Sequence, residues 1–198
     1  GPWQRLPPAL AEQGVSCDVL LTDRFPNQDA AAALREVGQR PGEVSYHPEP
    51  VDALAVPAQL DGLRTVFSAF HHFPPAAATA LIRDAVRAGA PIAVFESTER
   101  SAASMASVLL APIILLLATP FLRPFRWSRL LLTYLIPLVP LLILWDGLVS
   151  CLRSYTPDEL RALVDAIPEA SAYEWHIGTL RGRAPVPITY LISTPRAG

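Results

Sequence analysis

The sequence predicts an α/β fold, in which a mostly parallel sheet ends in an antiparallel hairpin and is interrupted by an apolar helical hairpin. Three observations support this prediction. Over residues 1–100, short apolar runs alternate with amphipathic segments, which is typical of strands covered by helices. A nearly uncharged apolar stretch follows over residues 101–150. Two last runs of strand-forming residues, joined by a Gly/Arg/Pro loop, indicate the hairpin.

Composition excludes several classes of protein. The 198 residues are 51% hydrophobic and 17% charged, which rules out global disorder. The net charge is −2 and the basic residues are spread out, so we expect no nucleic-acid partner. All 16 basic residues are arginine, which excludes a Schiff-base or P-loop lysine. The two cysteines lie far apart without a CxxC motif, so we expect neither a disulfide framework nor a metal site.

The first strands and helices follow from short local patterns. The apolar run at 17–23 ends in an acid and predicts a buried strand, and Asn27 is placed to cap a helix over 30–37. Residues 43–46 form a weaker strand candidate, and residues 63–70 a clearer one.

The later elements have stronger signals. Pro74 and Pro75 begin a helix that Gly89 ends, and residues 91–96 form the next strand. Thr156-Pro157-Asp158-Glu159 has the pattern of a capping box at the start of a helix. Residues 173–180 and 188–193 are the two strands of the terminal hairpin.

Two acids follow predicted strands in the first part of the chain. In open α/β sheets, ligands bind beyond the carboxyl ends of the strands. Asp23 follows the first apolar run, where an acid can accept hydrogen bonds from a ribose diol, and it is equally well placed as an ordinary turn acid. Asp52, in Val51-Asp52-Ala53, could bind an exocyclic amine or cap a turn.

The strand over 63–70 leads into His71 and His72. Adjacent residues on a strand point to opposite faces, so we expect only one of the two imidazoles to face the ligand crevice. That histidine could position a substrate or act as a base, whereas the competing interpretation is one packed and one exposed histidine. Glu96 follows the next strand, where it either faces the ligand or pairs with Arg100.

Taken together, these segments resemble the class I S-adenosylmethionine-dependent methyltransferases, which have a Rossmann-like sheet. The similarity covers about residues 1–100 and 151–198, which would form one α/β domain. It includes the acid at the end of the second strand, the acid and small residue after the third, the histidine-containing end of the fourth, and the final hairpin. The family's first strand and most of its glycine-rich loop have no counterpart here, so we expect the complete protein to carry them upstream.

The resemblance implies roles for individual residues. Asp23 would bind the ribose of S-adenosylmethionine, and Asp52 with the backbone of Ala53 would bind its adenine. Gly1 and Pro2 would end the glycine-rich loop beside the methionine moiety. Ser68 to His72 would line the methyl-transfer site, with His71 or His72 as the candidate base.

The apolar segment 101–150 lies outside the resemblance. It has no acidic residue before Asp146, and its two apolar runs are separated by Arg123, Arg126, Trp127 and Arg129. We expect residues 104–145 to contact a membrane from its cytoplasmic side as a shallow or re-entrant hairpin, with the arginines at the headgroups. Two full membrane spans, or a buried lid or dimer surface, are the alternatives.

The sequence therefore predicts a membrane-associated methyltransferase that acts on a small hydrophobic acceptor. The first alternative is a non-catalytic, membrane-anchored binding or scaffold module of the same fold. The second is another nucleotide-binding α/β enzyme, such as a reductase. The pattern specifies neither the acceptor nor an oligomeric state.

Overall fold

The computed structural model describes residues 6–27, 29, 44–182 and 187–196. The chain divides into two compact units, residues 1–60 and 61–198. This boundary differs from the predicted edges of the apolar segment, and the assignment of residues 101–150 to a membrane-associating insert stays a prediction. Gly1, Pro2 and the predicted helix over 30–37 lie outside the described residues.

The first unit contains a short parallel strand pair. Helix α1 (Leu6–Ala11) precedes strand β1 (Val19–Leu21), which pairs in parallel with strand β2 (Val44–Tyr46). Both strands lie within the predicted segments and are shorter than the apolar runs. Their parallel pairing places the residues after Leu21 and Tyr46 at the same edge of the sheet.

The second unit contains a four-stranded sheet of order β3–β4–β6–β5. Strand β3 (Arg64–Phe67) runs parallel to β4 (Ile92–Glu96), and the long strands β5 (Tyr173–Leu180) and β6 (Ile188–Pro195) form the predicted antiparallel hairpin. Strand β6 also pairs with β4, in antiparallel orientation. The prediction of a mostly parallel sheet is therefore wrong, and the sheet is mixed. The reason is that β6 pairs in antiparallel orientation with both β4 and β5.

Two amphipathic helices cover this sheet and form much of its core. Helix α2 (Pro75–Arg87) begins with proline at its first turn, as predicted, and buries one apolar face that includes Leu81 and Ile82. Helix α6 (Pro157–Asp165) packs against α2, β5 and β6. Its capping box is present in both directions: Thr156 Oγ1 accepts from Glu159 N–H, and Glu159 accepts from Thr156 N–H. These local predictions are confirmed.

The apolar segment is helical and folds back on itself. Helix α3 (Ala102–Ala118) is capped by Ser101 Oγ and continues as a 3-10 turn to Phe121. Helix α4 (Trp127–Leu130), a π-helical stretch (Leu131–Leu135) and helix α5 (Leu138–Arg153) follow, and α5 packs along α3. Ala102–Phe121 is long and apolar enough to cross a membrane, whereas Trp127–Leu135 and Leu138–Arg153 pass that test only as a pair bent by 71°.

Candidate functional site

The candidate site lies where β3 and β4 end. These strands pair in parallel with Phe67 opposite Phe95, so the segments that follow them leave the sheet at the same edge. Ser68 has a φ of +47°, a left-handed backbone conformation that residues other than glycine rarely adopt. Its amide donates to Phe95 O at 2.8 Å, and its Oγ lies 2.8 Å from Ser97 Oγ. The strand therefore ends abruptly at Ser68, and the chain turns.

The turn that follows carries both histidines. Phe70–His72 form a 3-10 helix, so His71 and His72 are not on a strand as predicted. Their rings lie side by side, with centroids 4.2 Å apart, and do not point to opposite faces. His71 is buried and His72 is exposed, which matches the competing interpretation of one packed and one exposed histidine. The prediction for their orientation was wrong because the left-handed Ser68 ends the strand before the histidines.

A buried ion-pair geometry joins the two strand ends. His71 Nδ1 lies 2.6 Å from Glu96 Oε2, and both side chains are only 4% exposed. The second carboxylate oxygen, Oε1, accepts the Phe70 amide at 2.6 Å. Glu96 thus fixes both the backbone of the turn and the ring that the turn carries.

This hydrogen bond assigns the tautomer of His71. A carboxylate oxygen can only accept, so Nδ1 carries the hydrogen in the neutral ring. The lone pair of the neutral imidazole then lies on Nε2. Nε2 is therefore the nitrogen with which His71 can accept a proton from a ligand.

Residues that follow α5 support the turn from the other side. Tyr155 Oη donates to Phe73 O at 2.7 Å, and its ring packs against Phe70 with centroids 5.5 Å apart. Burial, and then the negative charge of Glu159, raise the pKa of the Tyr155 phenol. The phenol therefore stays protonated and remains a donor at neutral pH.

Glu96 pairs with His71 and not with Arg100, so the alternative of a Glu96–Arg100 pair is wrong. Arg100 instead forms a salt bridge with Glu159, with Nη1 at 3.1 Å from Oε1, and donates to Ser154 O at 3.0 Å. The amide of Thr156, and then Arg100, lower the pKa of the Glu159 carboxyl. Ser154 Oγ in turn donates to Thr98 Oγ1 at 2.7 Å, so the segment after β4 is tied to the end of α5.

The predicted cofactor acids meet in the first unit, beyond β1 and β2. Val51 N–H donates to Asp23 O at 2.9 Å, which brings the two loops side by side. Asp23 Oδ1 accepts the Phe25 amide, and Asp52 Oδ1 accepts the Leu54 amide. Among the residues that the structure describes, each carboxylate thus retains a second oxygen that accepts no hydrogen bond, although Asp52 Oδ2 has the Arg24 guanidinium 3.6 Å away.

These acids fit the hydrogen-bond donors of a nucleoside. Ribose hydroxyls and an exocyclic amine both need acceptors, and Asp23 and Asp52 place carboxylate oxygens on adjacent loops at one strand edge. Ala53 follows Asp52 in the same partly exposed loop. Ser68, His71 and His72 belong to the second unit. In the part of the chain that the structure describes, no group of three or more His, Cys, Asp or Glu side chains could hold a metal ion.

Sequence reasoning missed one residue of the site and the partner of another. The sequence places Glu96 at a strand end, but its partner lies 25 residues away and no local pattern connects them. No sequence pattern singles out Tyr155, whose hydroxyl reaches a carbonyl 82 residues away. The sequence signal for each residue is its position alone: Glu96 ends β4, and Tyr155 lies just before α6.

Comparisons with known proteins give little beyond this geometry. No family model matches the chain, and no curated protein matches it. Among solved structures the chain is similar to LaPhzM, with 16% identity and a TM-score of 0.48. The match covers 96% of this chain and 46% of that one, so the chain spans less than half the length of LaPhzM.

Proposed function

We propose that the protein transfers the methyl group of S-adenosylmethionine to a hydrophobic or membrane-located acceptor. The observation that carries this proposal is the buried His71–Glu96 pair at the shared carboxyl edge of β3 and β4. Ligands of open α/β sheets bind at that edge. A buried, oriented imidazole there is suited to take a proton from an acceptor hydroxyl or amine.

The chain's own residues have separate roles in this proposal. Asp23 and Asp52 bind the nucleoside of S-adenosylmethionine, and Ala53 contributes backbone beside it. When bound, S-adenosylmethionine supplies a methyl group that is already activated by its sulfonium. The protein's contribution is then mainly positioning and proton management.

The proton moves at one defined atom. His71 Nε2 accepts the proton that the acceptor loses, while Nδ1–H stays hydrogen-bonded to Glu96. Glu96 is a positioning residue, because it holds the ring and fixes its tautomer without touching the acceptor. Exposed Ser68 and His72 lie beside the buried pair and would contact the acceptor.

Calorimetric titration of the intact protein in detergent with S-adenosylmethionine tests the cofactor assignment. We expect micromolar binding that Asp23→Ala or Asp52→Ala weakens at least tenfold, which is about 1.4 kcal/mol. Asp61→Ala removes another exposed carboxylate and serves as the matched control. Absence of binding by folded protein would overturn the proposal.

Transfer of radioactive methyl from the labelled donor into solvent-extractable material tests the reaction. We expect His71→Asn and Glu96→Gln to abolish transfer while leaving the affinity for the donor within twofold, because neither residue is assigned to cofactor binding. Equal transfer by the wild type and His71→Asn would remove the base from this mechanism.

The second candidate function is a non-catalytic binding module of the same fold. The Arg24 guanidinium, 3.6 Å from Asp52, favours it, since it competes for the oxygen that an adenine amine would need. Arg24→Gln separates the two. The methyltransferase proposal predicts tighter binding of S-adenosylmethionine by this variant, whereas a non-catalytic module gains no affinity for it.

A further inference from the structure

The helical hairpin formed by residues 101–153 exposes a large apolar surface. Over Ala102–Phe121 the mean hydropathy is 2.2, and only 11% of the most apolar window is buried. Large side chains are exposed along a stripe of each helix; Leu110, Ile114 and Leu117 represent α3, and Leu138, Leu141 and Leu142 represent α5. A contiguous apolar surface of this kind is characteristic of a membrane or protein interaction site.

The contact between α3 and α5 sets the depth of this surface. A Cβ added to Gly147 would lie 2.7 Å from Val108 Cγ1, so the helices approach closely there and Gly147 lies level with Val108. Asp146 is exposed next to Gly147, so the level of the hairpin at Val108 and Gly147 carries a charged side chain. From Val108 to Phe121, a rise of 1.5 Å per residue gives about 20 Å. The hydrocarbon core of a bilayer is about 30 Å thick. The stretch Ala102–Phe121 alone is long enough to cross it, but a hairpin inserted upright down to the level of Asp146 would reach only about 20 Å into it.

Charge at the helix connection identifies the kind of surface that would cover the hairpin. Arg123, Arg126 and Arg129 lie in or beside the connection, and the segment has no acidic residue from 101 to 145. Trp127 is 78% exposed and packs edge-on against Phe125 with centroids 5.2 Å apart. Guanidinium groups bind phosphate oxygens in bidentate geometry, and tryptophan prefers the headgroup region of a bilayer.

The bend in the second limb favours a shallow position. Trp127–Leu135 is inclined by 71° to Leu138–Arg153, so this limb is not one straight rod. A hairpin inserted upright would carry the arginines into the hydrocarbon, which is costly for charged groups. A hairpin lying along the surface keeps its apolar stripes in the acyl region and its arginines at the phosphates.

We propose that the hairpin docks into one leaflet of a bilayer that contains anionic phospholipid, lying at the boundary of headgroups and acyl chains without crossing the membrane. The exposed apolar stripes of α3 and α5 supply the hydrophobic contact. Arg123, Arg126 and Arg129 bind the lipid phosphates. This inference does not depend on the methyl-transfer reaction, and its test uses no cofactor.

Flotation with lipid vesicles measures the charge dependence. The protein is diluted from detergent into vesicles of phosphatidylcholine alone or of phosphatidylcholine mixed with phosphatidylglycerol. We expect at least tenfold tighter binding to the anionic vesicles, which raised salt weakens. The Arg123→Glu/Arg126→Glu variant should lose this preference, whereas Arg161→Glu, an exposed charge reversal on α6, should keep it. Equal binding of all variants to both vesicle types would overturn the proposal.

Topology is measured with a thiol label that does not cross membranes. Ser128→Cys, placed in a Cys17→Ser background, lies in the helix connection, while the native Cys151 is buried. We expect this thiol to react when the label is added to the side from which the protein bound. Protection until the vesicles are opened would mean that the hairpin spans the bilayer. If the protein does not float with vesicles and forms dimers without lipid, the apolar surface binds a second copy of the chain. This result and the protection of the thiol would each overturn the proposal.

Discussion

Replacement of Glu96 gives the most direct test of the His71–Glu96 pair. The Glu96 carboxylate accepts from two buried donors, Phe70 N–H and His71 Nδ1–H, each at 2.6 Å. Glu96→Ala leaves both donors without this acceptor. Each unsatisfied buried donor costs about 1–3 kcal/mol, so we expect the two together to lower the free energy of unfolding by about 2–6 kcal/mol.

Glu96→Gln separates folding from proton transfer. The amide oxygen can still accept from Phe70 N–H, and the amide nitrogen can donate to Nδ1 if the His71 hydrogen moves to Nε2. We therefore expect a loss of about 1 kcal/mol, since a charged acceptor is exchanged for a neutral one. His71 Nε2 then carries a hydrogen and no longer accepts a proton, so stability is largely kept while methyl transfer is lost.

Urea unfolding followed by circular dichroism measures both variants, and nitrogen chemical shifts of the imidazole report the tautomer. The matched control is Glu174→Ala, because Glu174 lies 3.7 Å from His176 in an exposed pair. Such surface pairs contribute about 0–1 kcal/mol. The assigned His71–Glu96 hydrogen bond would be wrong if Glu96→Ala destabilised the protein no more than Glu174→Ala, or if Glu96→Gln left the His71 tautomer unchanged.

Three further predictions concern the surroundings of the site. Tyr155→Phe removes the hydroxyl donor but keeps the ring, so it should cost about 1 kcal/mol and speed amide exchange over residues 70–73. The Thr156 amide and Arg100 lower the pKa of the Glu159 carboxyl in the folded protein. The stabilisation by Glu159 is therefore present above about pH 4.5, the ordinary pKa of a glutamate, and is lost as the pH falls through the lower pKa of the folded state. We expect Glu159→Gln to be less stable than wild type at pH 7 and equally stable in acid unfolding experiments. Gly147→Ala should lower the melting temperature, with a net cost of about 1–2 kcal/mol, because the new Cβ meets Val108. Adding Val108→Ala should restore most of the lost stability. Additive losses in this double-mutant cycle would contradict the close contact.

Several elements could be predicted because their signals are local. Proline at the first turn begins α2, the Thr156–Glu159 capping box begins α6, and the β5–β6 hairpin follows two runs of strand-forming residues. Each of these depends on residues within a few positions of one another, where backbone preferences and caps act directly. The mixed α/β character of the fold follows from the same patterns.

The order of residues alone thus predicts that Asp23, Asp52 and Glu96 follow strands and that the hairpin is apolar. Which groups meet depends on how distant segments pack. The parallel register of β3 and β4 brings Glu96 to His71 across 25 residues, and packing of α6 brings Glu159 to Arg100 across 59. The left-handed Ser68 ends β3 early and sets both histidines in a turn. Hydrogen-bond partners of buried charges depend on the register and packing of distant segments, and no local preference encodes those.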